Sequence, residues 1–112
     1  TTRNLPMAPG LDPDAYVEAL DAAMEEAAAF APDLLIVSAG FDAAASDPLG
    51  GFTLETSHFE WLTRRLVELT ASSTGGRTVS ALEGGYDTAA LGRNVVGHLR
   101  ALAGVASEAE VG

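Results

Sequence analysis

At 112 residues the chain is at most one ordinary domain, and 47% hydrophobic residues with a mean hydropathy of +0.17 predict a folded core rather than a disordered segment. Sixteen acidic residues against six basic ones leave a net charge of −10, which disfavours the phosphate-tracking surface that direct nucleic-acid binding needs. The absence of cysteine excludes disulfides, thiolate metal clusters and a cysteine nucleophile, and suits a reducing, cytoplasmic setting.

In chain order, Asp12 followed by Pro13 supplies an N-cap and a first helical position, and Tyr16, Leu20, Ala23 or Met24, and Ala27 mark the buried face of a helix running to about Phe30. Asp12, Asp14, Glu18, Asp21, Glu25 and Glu26 read as the solvated side of that helix, and Glu108 and Glu110 as part of a polar tail. Pro32 ends the helix. Leu34-Leu35-Ile36-Val37 then reads as a strand buried on both faces of a parallel sheet. The longest apolar run, Leu34 to Ala39, is far short of a membrane span, and no basic segment followed by an apolar signal region opens the chain, so no membrane partner is expected.

Thr56 is expected to cap a second helix carrying Phe59, Leu62, Leu66 and Leu69 on one face, broken by Gly75-Gly76. A second strand follows at about Thr78 to Leu82. Asp87 caps a third helix with Leu91, Val95, Leu99 and Leu102 as its buried stripe and Gly104 just past its end. The pattern is two consecutive strand-loop-helix units of an α/β fold. In open parallel sheets ligands bind beyond the carboxyl ends of the strands, and the loops holding Asp47 and Tyr86 both fall there.

The chemistry of those loops rests on a carboxylate, able to ligate a metal through oxygen, and a phenol, able to donate a hydrogen bond to a developing oxyanion. Asp47 precedes Pro48, which restricts the backbone that carries it; the same dipeptide also serves to start a turn. Asp42 reads either as an acceptor that orients the loop around a metal or as a local backbone organiser. His58 and His98 lack the spacing of a metal site and read as surface or helix-terminal histidines.

Taken together, Ala39 to Gly51 and Glu83 to Asp87 resemble the C-terminal catalytic motifs of the histone deacetylase superfamily, most of all its bacterial class II-like members, whose relatives include acetylpolyamine amidohydrolases and acetoin-utilisation proteins. Asn4-Leu5-Pro6-Met7 and Pro32-Asp33 also fall where that family has similar residues, so the likeness spans most of the chain. The resemblance implies a three-layer arginase/deacetylase-like fold with a mainly parallel sheet, of which residues 1–112 form the C-terminal portion of one catalytic domain.

By the same resemblance Asp47 is a ligand of Zn2+ and Tyr86 is the tyrosine that stabilises the oxyanion. Leu54, seven residues beyond Asp47, is an apolar wall of the acyl-lysine channel, and Gly84 and Gly85 let the loop approach the substrate. The implied substrate is an acetylated lysine or an acetylpolyamine. The family's Asp-x-His zinc motif and its histidine pair have no counterpart here, so they are expected upstream of Thr1, in the remainder of the domain, and the isolated chain is expected to be inactive. Two other readings remain: a phosphate or nucleotide module using the Gly84-Gly85 turn at a helix N-terminus, and a non-catalytic remnant or interaction module.

Overall fold

A computed structural model of the chain describes residues 1–106; Glu108 and Glu110 lie outside the described residues. The elements are α1 (Pro13–Ala29), β1 (Leu35–Ala39), α2 (Thr56–Thr74), β2 (Thr78–Leu82) and α3 (Thr88–Leu102). β1 and β2 pair in parallel, from Leu35 opposite Thr78 to Ala39 opposite Leu82. The crossover between them holds the long Gly40 to Glu55 loop and α2, the right length for a parallel connection. The result is part of an α/β fold: a two-stranded sheet with helices packed on one face.

That one-sidedness corrects an expectation. Leu35, Val37 and Ala39 turn toward the helices, whereas Ile36, expected in a doubly buried strand, is 69% exposed, and its partner Val79 is exposed beside it. A strand covered on one face alternates, and the apolar run of β1 is longer than the helix side requires.

α1 begins as its sequence predicts, with Asp12 Oδ1 accepting from the Asp14 N–H at 2.9 Å. Met24 is its buried residue and Ala27 is exposed, so the buried stripe ends a turn early. The acidic side is not simply solvated, because Arg65 of α2 pairs with Asp21 at 2.7 Å and Glu25 at 3.1 Å and ties α1 to α2. α2 is capped by Glu55 rather than Thr56: the Glu55 N–H donates to His58 Nδ1 at 2.9 Å, which places His58 at the helix terminus, as expected. Thr56 is thereby free to donate its hydroxyl hydrogen to Asn94 Oδ1 of α3 at 2.6 Å.

α3 buries a different stripe from the expected one. Ala90, Asn94, Gly97, His98 and Ala101 face inward and Leu99 is exposed, while Leu91 and Val95 pack against the core from its edge. The reason is close helix approach: a methyl at Gly97 would stand 2.7 Å from Glu60 Cγ and 3.0 Å from Thr56 Cγ2, so small residues and polar pairs fill the α2–α3 seam.

His98, expected at the surface, is only 6% exposed. Its Nδ1 lies 2.8 Å from Thr63 Oγ1 and its Nε2 2.8 Å from Ser80 Oγ, and its ring meets Phe41 edge-on at 5.6 Å. Burial holds the imidazole below its ordinary pKa, because the charged form is desolvated. In the unfolded chain the same imidazole titrates near about 6.5. The unfolded state therefore takes up a proton first as pH falls through that value, so stability is full above it and declines below it. Thermal melts of protein carrying this segment should show the midpoint falling between about pH 7 and pH 5.5, and falling less in His98→Gln; equal slopes for the two proteins would exclude His98 as the source.

Candidate functional site

Parallel pairing delivers two loops to one end of the sheet. Past Ala39 and Leu82 the ladder continues briefly, with the Glu83 N–H donating to Ala39 O at 2.9 Å and the Phe41 N–H to Gly84 O at 2.8 Å. The loop after β1 then folds back on itself: Ala45 N–H donates to Leu54 O at 2.8 Å and Leu54 N–H to Ala43 O at 3.0 Å.

Asp47 is buried and its carboxylate is heavily engaged. Oδ1 accepts from the N–H groups of Leu49 (2.8 Å) and Gly50 (2.9 Å), and Oδ2 accepts from the N–H of Tyr86 (2.7 Å). Burial alone would raise its pKa, but the N–H donors of Tyr86, Leu49, Gly50 and Asp87 outweigh it and hold the carboxyl below the usual carboxylate range. Asp87 is likewise lowered, first by a hydrogen bond from Ser46, against the opposing effect of burial, and then by the Ala90 and Ala89 N–H groups it caps. The two loops are thus stitched by Asp47 to Tyr86 and by Ser46 to Asp87. Sequence reasoning placed Asp47 and Tyr86 together, and the structure brings them together.

Their roles divide differently from the sequence expectation. About four lone-pair sites exist on a carboxylate, and backbone donors take three of those on Asp47, which is the behaviour of a turn organiser. Asp42, two residues past the first loop glycine, is half-buried and carries no hydrogen bond from any described residue. Its carboxylate lies against Gly84, where an added methyl would stand 3.0 Å from Asp42 Cγ, and 3.1 Å from a methyl built on Gly40. It also faces Tyr16, whose phenol pKa is raised by burial and then by the Asp42 charge. The uncommitted carboxylate at this strand end is therefore Asp42. The position is readable as a residue just beyond a strand's carboxyl end; the resemblance assigned the ligand to Asp47, whose Asp-Pro dipeptide is also a turn signal.

Leu54, expected in the channel wall, is 2% exposed and sits in the core with Ala39, Phe41, Ala43, Ala44 and Phe59. Leu49, in the same loop, is 72% exposed. Gly84 and Gly85 face the protein's own atoms rather than a ligand: Asp42 fills the space at Gly84, and at Gly85, whose φ is 136°, a methyl would stand 2.7 Å from Leu91 Cδ1. Tyr86 is 53% exposed beside this cluster. Among the described residues no group of three or more His, Cys, Asp or Glu side chains is arranged to hold a metal, and neither histidine lies in the site. The α3 N-terminus, the anchor of the phosphate reading, is occupied by the Asp87 carboxylate, 3.0 Å from the Ala89 nitrogen.

Comparison with known proteins gives this geometry its family. The family model for the histone deacetylase domain matches residues 1–102. The chain is 43% identical over 105 residues to the chloroplastic histone deacetylase 10 of Oryza sativa subsp. japonica, covering 93% of this chain and 24% of that protein. It is 38% identical over 87 residues to the histone deacetylase-like amidohydrolase of Pseudomonas aeruginosa, covering 77% and 23%. The crystal structure of the HDA15 HD domain superposes with a TM-score of 0.76 at 33% identity over 87% of this chain and 27% of that one. The chain belongs to the histone deacetylase family. It spans about a quarter of the length of these relatives.

Gly50 offers a direct check of the loop. A methyl there would fall 1.5 Å from the Asp42 carbonyl oxygen, so Gly50→Ala should destabilise the protein by about 1–3 kcal/mol or more and disorder the Asp42 to Gly51 segment. A melting midpoint unchanged from wild type would show that the two loop strands do not approach as described.

Proposed function

We propose that this chain is the part of a zinc-dependent amidohydrolase that supplies one metal ligand and the oxyanion-stabilising tyrosine, in an enzyme that converts an acetylated amine and water to acetate and the free amine. The single observation that carries the reading is the uncommitted Asp42 carboxylate at the carboxyl end of β1, next to the loop that presents Tyr86. A carboxylate that takes no hydrogen bond from the described residues fits a divalent cation, and Asp42 would hold zinc as one oxygen ligand. The other ligands and the general base belong to residues outside this chain. Zinc, where bound, would supply Lewis-acid polarisation of the acetamide carbonyl and acidify a water.

The chain's own residues do the rest. Asp47 holds the Tyr86 backbone in place, so that the phenol can donate a hydrogen bond to the carbonyl oxygen as charge develops on it. Leu49 provides an exposed apolar surface against which the methylenes of a lysine or polyamine substrate can pack. These residues accommodate either substrate.

In the full-length enzyme, Asp42→Asn should lose zinc and activity together while the fold survives. Asp47→Asn should lower stability, since it leaves backbone donors short of an acceptor. Metal analysis and melting curves separate the two; an Asp42→Asn protein with full zinc and wild-type turnover would remove Asp42 from the metal site. Tyr86→Phe should keep its zinc and lose roughly 10²–10³ in kcat with a smaller change in KM. Rates within about twofold of wild type on both an acetyl-lysine peptide and an acetylpolyamine would take Tyr86 out of the chemistry. The isolated chain should bind zinc weakly and hydrolyse neither substrate; a stoichiometric submicromolar site in it would contradict the ligand assignment.

A further inference from the structure

We infer that His98 is a positioning residue for the Asp42–Tyr86 site, acting through Phe41 from the core behind it; the catalytic part of this inference rests on the function proposed above. The argument begins with a proton count. Thr63 Oγ1 donates its single hydrogen to Phe59 O at 2.8 Å, so at the 2.8 Å contact with His98 the threonine oxygen accepts and Nδ1 carries the hydrogen. A neutral imidazole then has Nε2 as acceptor, and Ser80 donates to it across 2.8 Å. The chain Ser80, His98, Thr63, Phe59 O uses every donor once and ties β2, α3 and α2 together. Both ring nitrogens are occupied, which fixes the plane of the imidazole as well as its position.

That fixed ring is one wall of a slot for Phe41. The Phe41 ring meets His98 at 5.6 Å and 73° on one contact and Phe59 at 5.1 Å and 64° on another, both edge-to-face. Phe41 is the residue before Asp42, its N–H donates to Gly84 O at 2.8 Å, and its Cβ is 3.2 Å from where a methyl on Gly85 would lie. It therefore touches both loops of the site at once. A shift of the Phe41 ring moves the backbone that carries Asp42 and the glycines that precede Tyr86, while His98 itself touches neither side chain of the site. A tautomer-locked histidine does more here than an apolar residue of similar size would, because two directed bonds keep it from swinging to meet the ring it supports.

The test uses the full-length enzyme and two variants, His98→Ala and Ser80→Ala. His98→Ala should lower kcat by roughly 10- to 100-fold with KM within about twofold, and its crystal structure should show the Phe41 ring in the vacated space and the Asp42 carboxylate drawn off Gly84. Ser80→Ala, which frees only Nε2, should give a smaller loss in the same direction and decides the question if His98→Ala does not fold. Nitrogen-15 spectra of the wild-type histidines should show His98 protonated at Nδ1 alone. A lowered melting point with unchanged kcat and an unmoved Asp42 in the folded variants would reduce His98 to a stability role, and an Nε2–H tautomer would overturn the hydrogen-bond chain. A wild-type protein without deacetylase activity would defeat the proposed function, whereas the variant structures would still decide whether His98 sets the position of Asp42.

Discussion

One carboxylate, that of Asp47, joins loops 39 residues apart, and the arrangement of the site follows from it. The parallel ladder sets Ala39 beside Leu82 but leaves the loop tips beyond it free to diverge. Oδ1 closes the turn onto Leu49 and Gly50, and Oδ2 takes the N–H of Tyr86, so the geometry of one loop becomes the geometry of the other. Charge strengthens each of these bonds, and an unfilled buried donor costs about 1–3 kcal/mol, which makes the tie hard to release. The same bonds depress the carboxyl's pKa, so it stays ionised and able to accept all of them.

Two aspartates in one loop thus carry separate duties. Asp47 holds three backbone donors and spends its charge on shape, while Asp42 keeps its charge available at the strand end. Their separation depends on glycine: Gly50 covers the Asp42 carbonyl more closely than any side chain permits, and Gly84 leaves room for the Asp42 carboxylate. A loop with only one of the aspartates would lack either the scaffold or the uncommitted carboxylate. Neither glycine needs a substrate to explain it, since the protein's own atoms fill the space a side chain would claim.

Much of this fold was legible from local signals. β2 occupies Thr78–Leu82 as read, α1 starts at its Asp-Pro cap, and Asp87 caps α3, because caps, prolines and short apolar runs act through neighbouring backbone. What the pattern could not supply was the identity of the facing surface. Apolar periodicity chose Leu99 for the interior of α3, yet α2 approaches so closely that Gly97 and His98 take the inside and Leu99 faces out. The two site loops were recognised as units. Within the first of them the roles of Asp42 and Asp47, and of Leu49 and Leu54, depend on which side chain the loop turns inward, and a tight loop folded back on Gly50 does not reveal that through spacing. Tyr86 poses no such choice of side chain, because the two glycines before it leave it the single bulky residue of its loop.

The open side of the sheet bears on how firmly the site is held. Parallel sheets are ordinarily covered on both faces, and here Ile36 and Val79 lie uncovered opposite the helices. Among the described residues the carboxyl ends of β1 and β2 are therefore braced from one side only, by Phe41, Phe59 and His98 beneath them. A strand braced from one side can tilt about its ladder hydrogen bonds without breaking them, and such a tilt would carry Asp42 and Tyr86 apart unless something crosses between the loops. The Asp47 to Tyr86 bond and the Phe41 N–H to Gly84 O bond make that crossing. The ties between loops thus do for the site what a second helical layer does for the sheet, with a carboxylate that holds three backbone donors placed at the strand ends rather than among the helices.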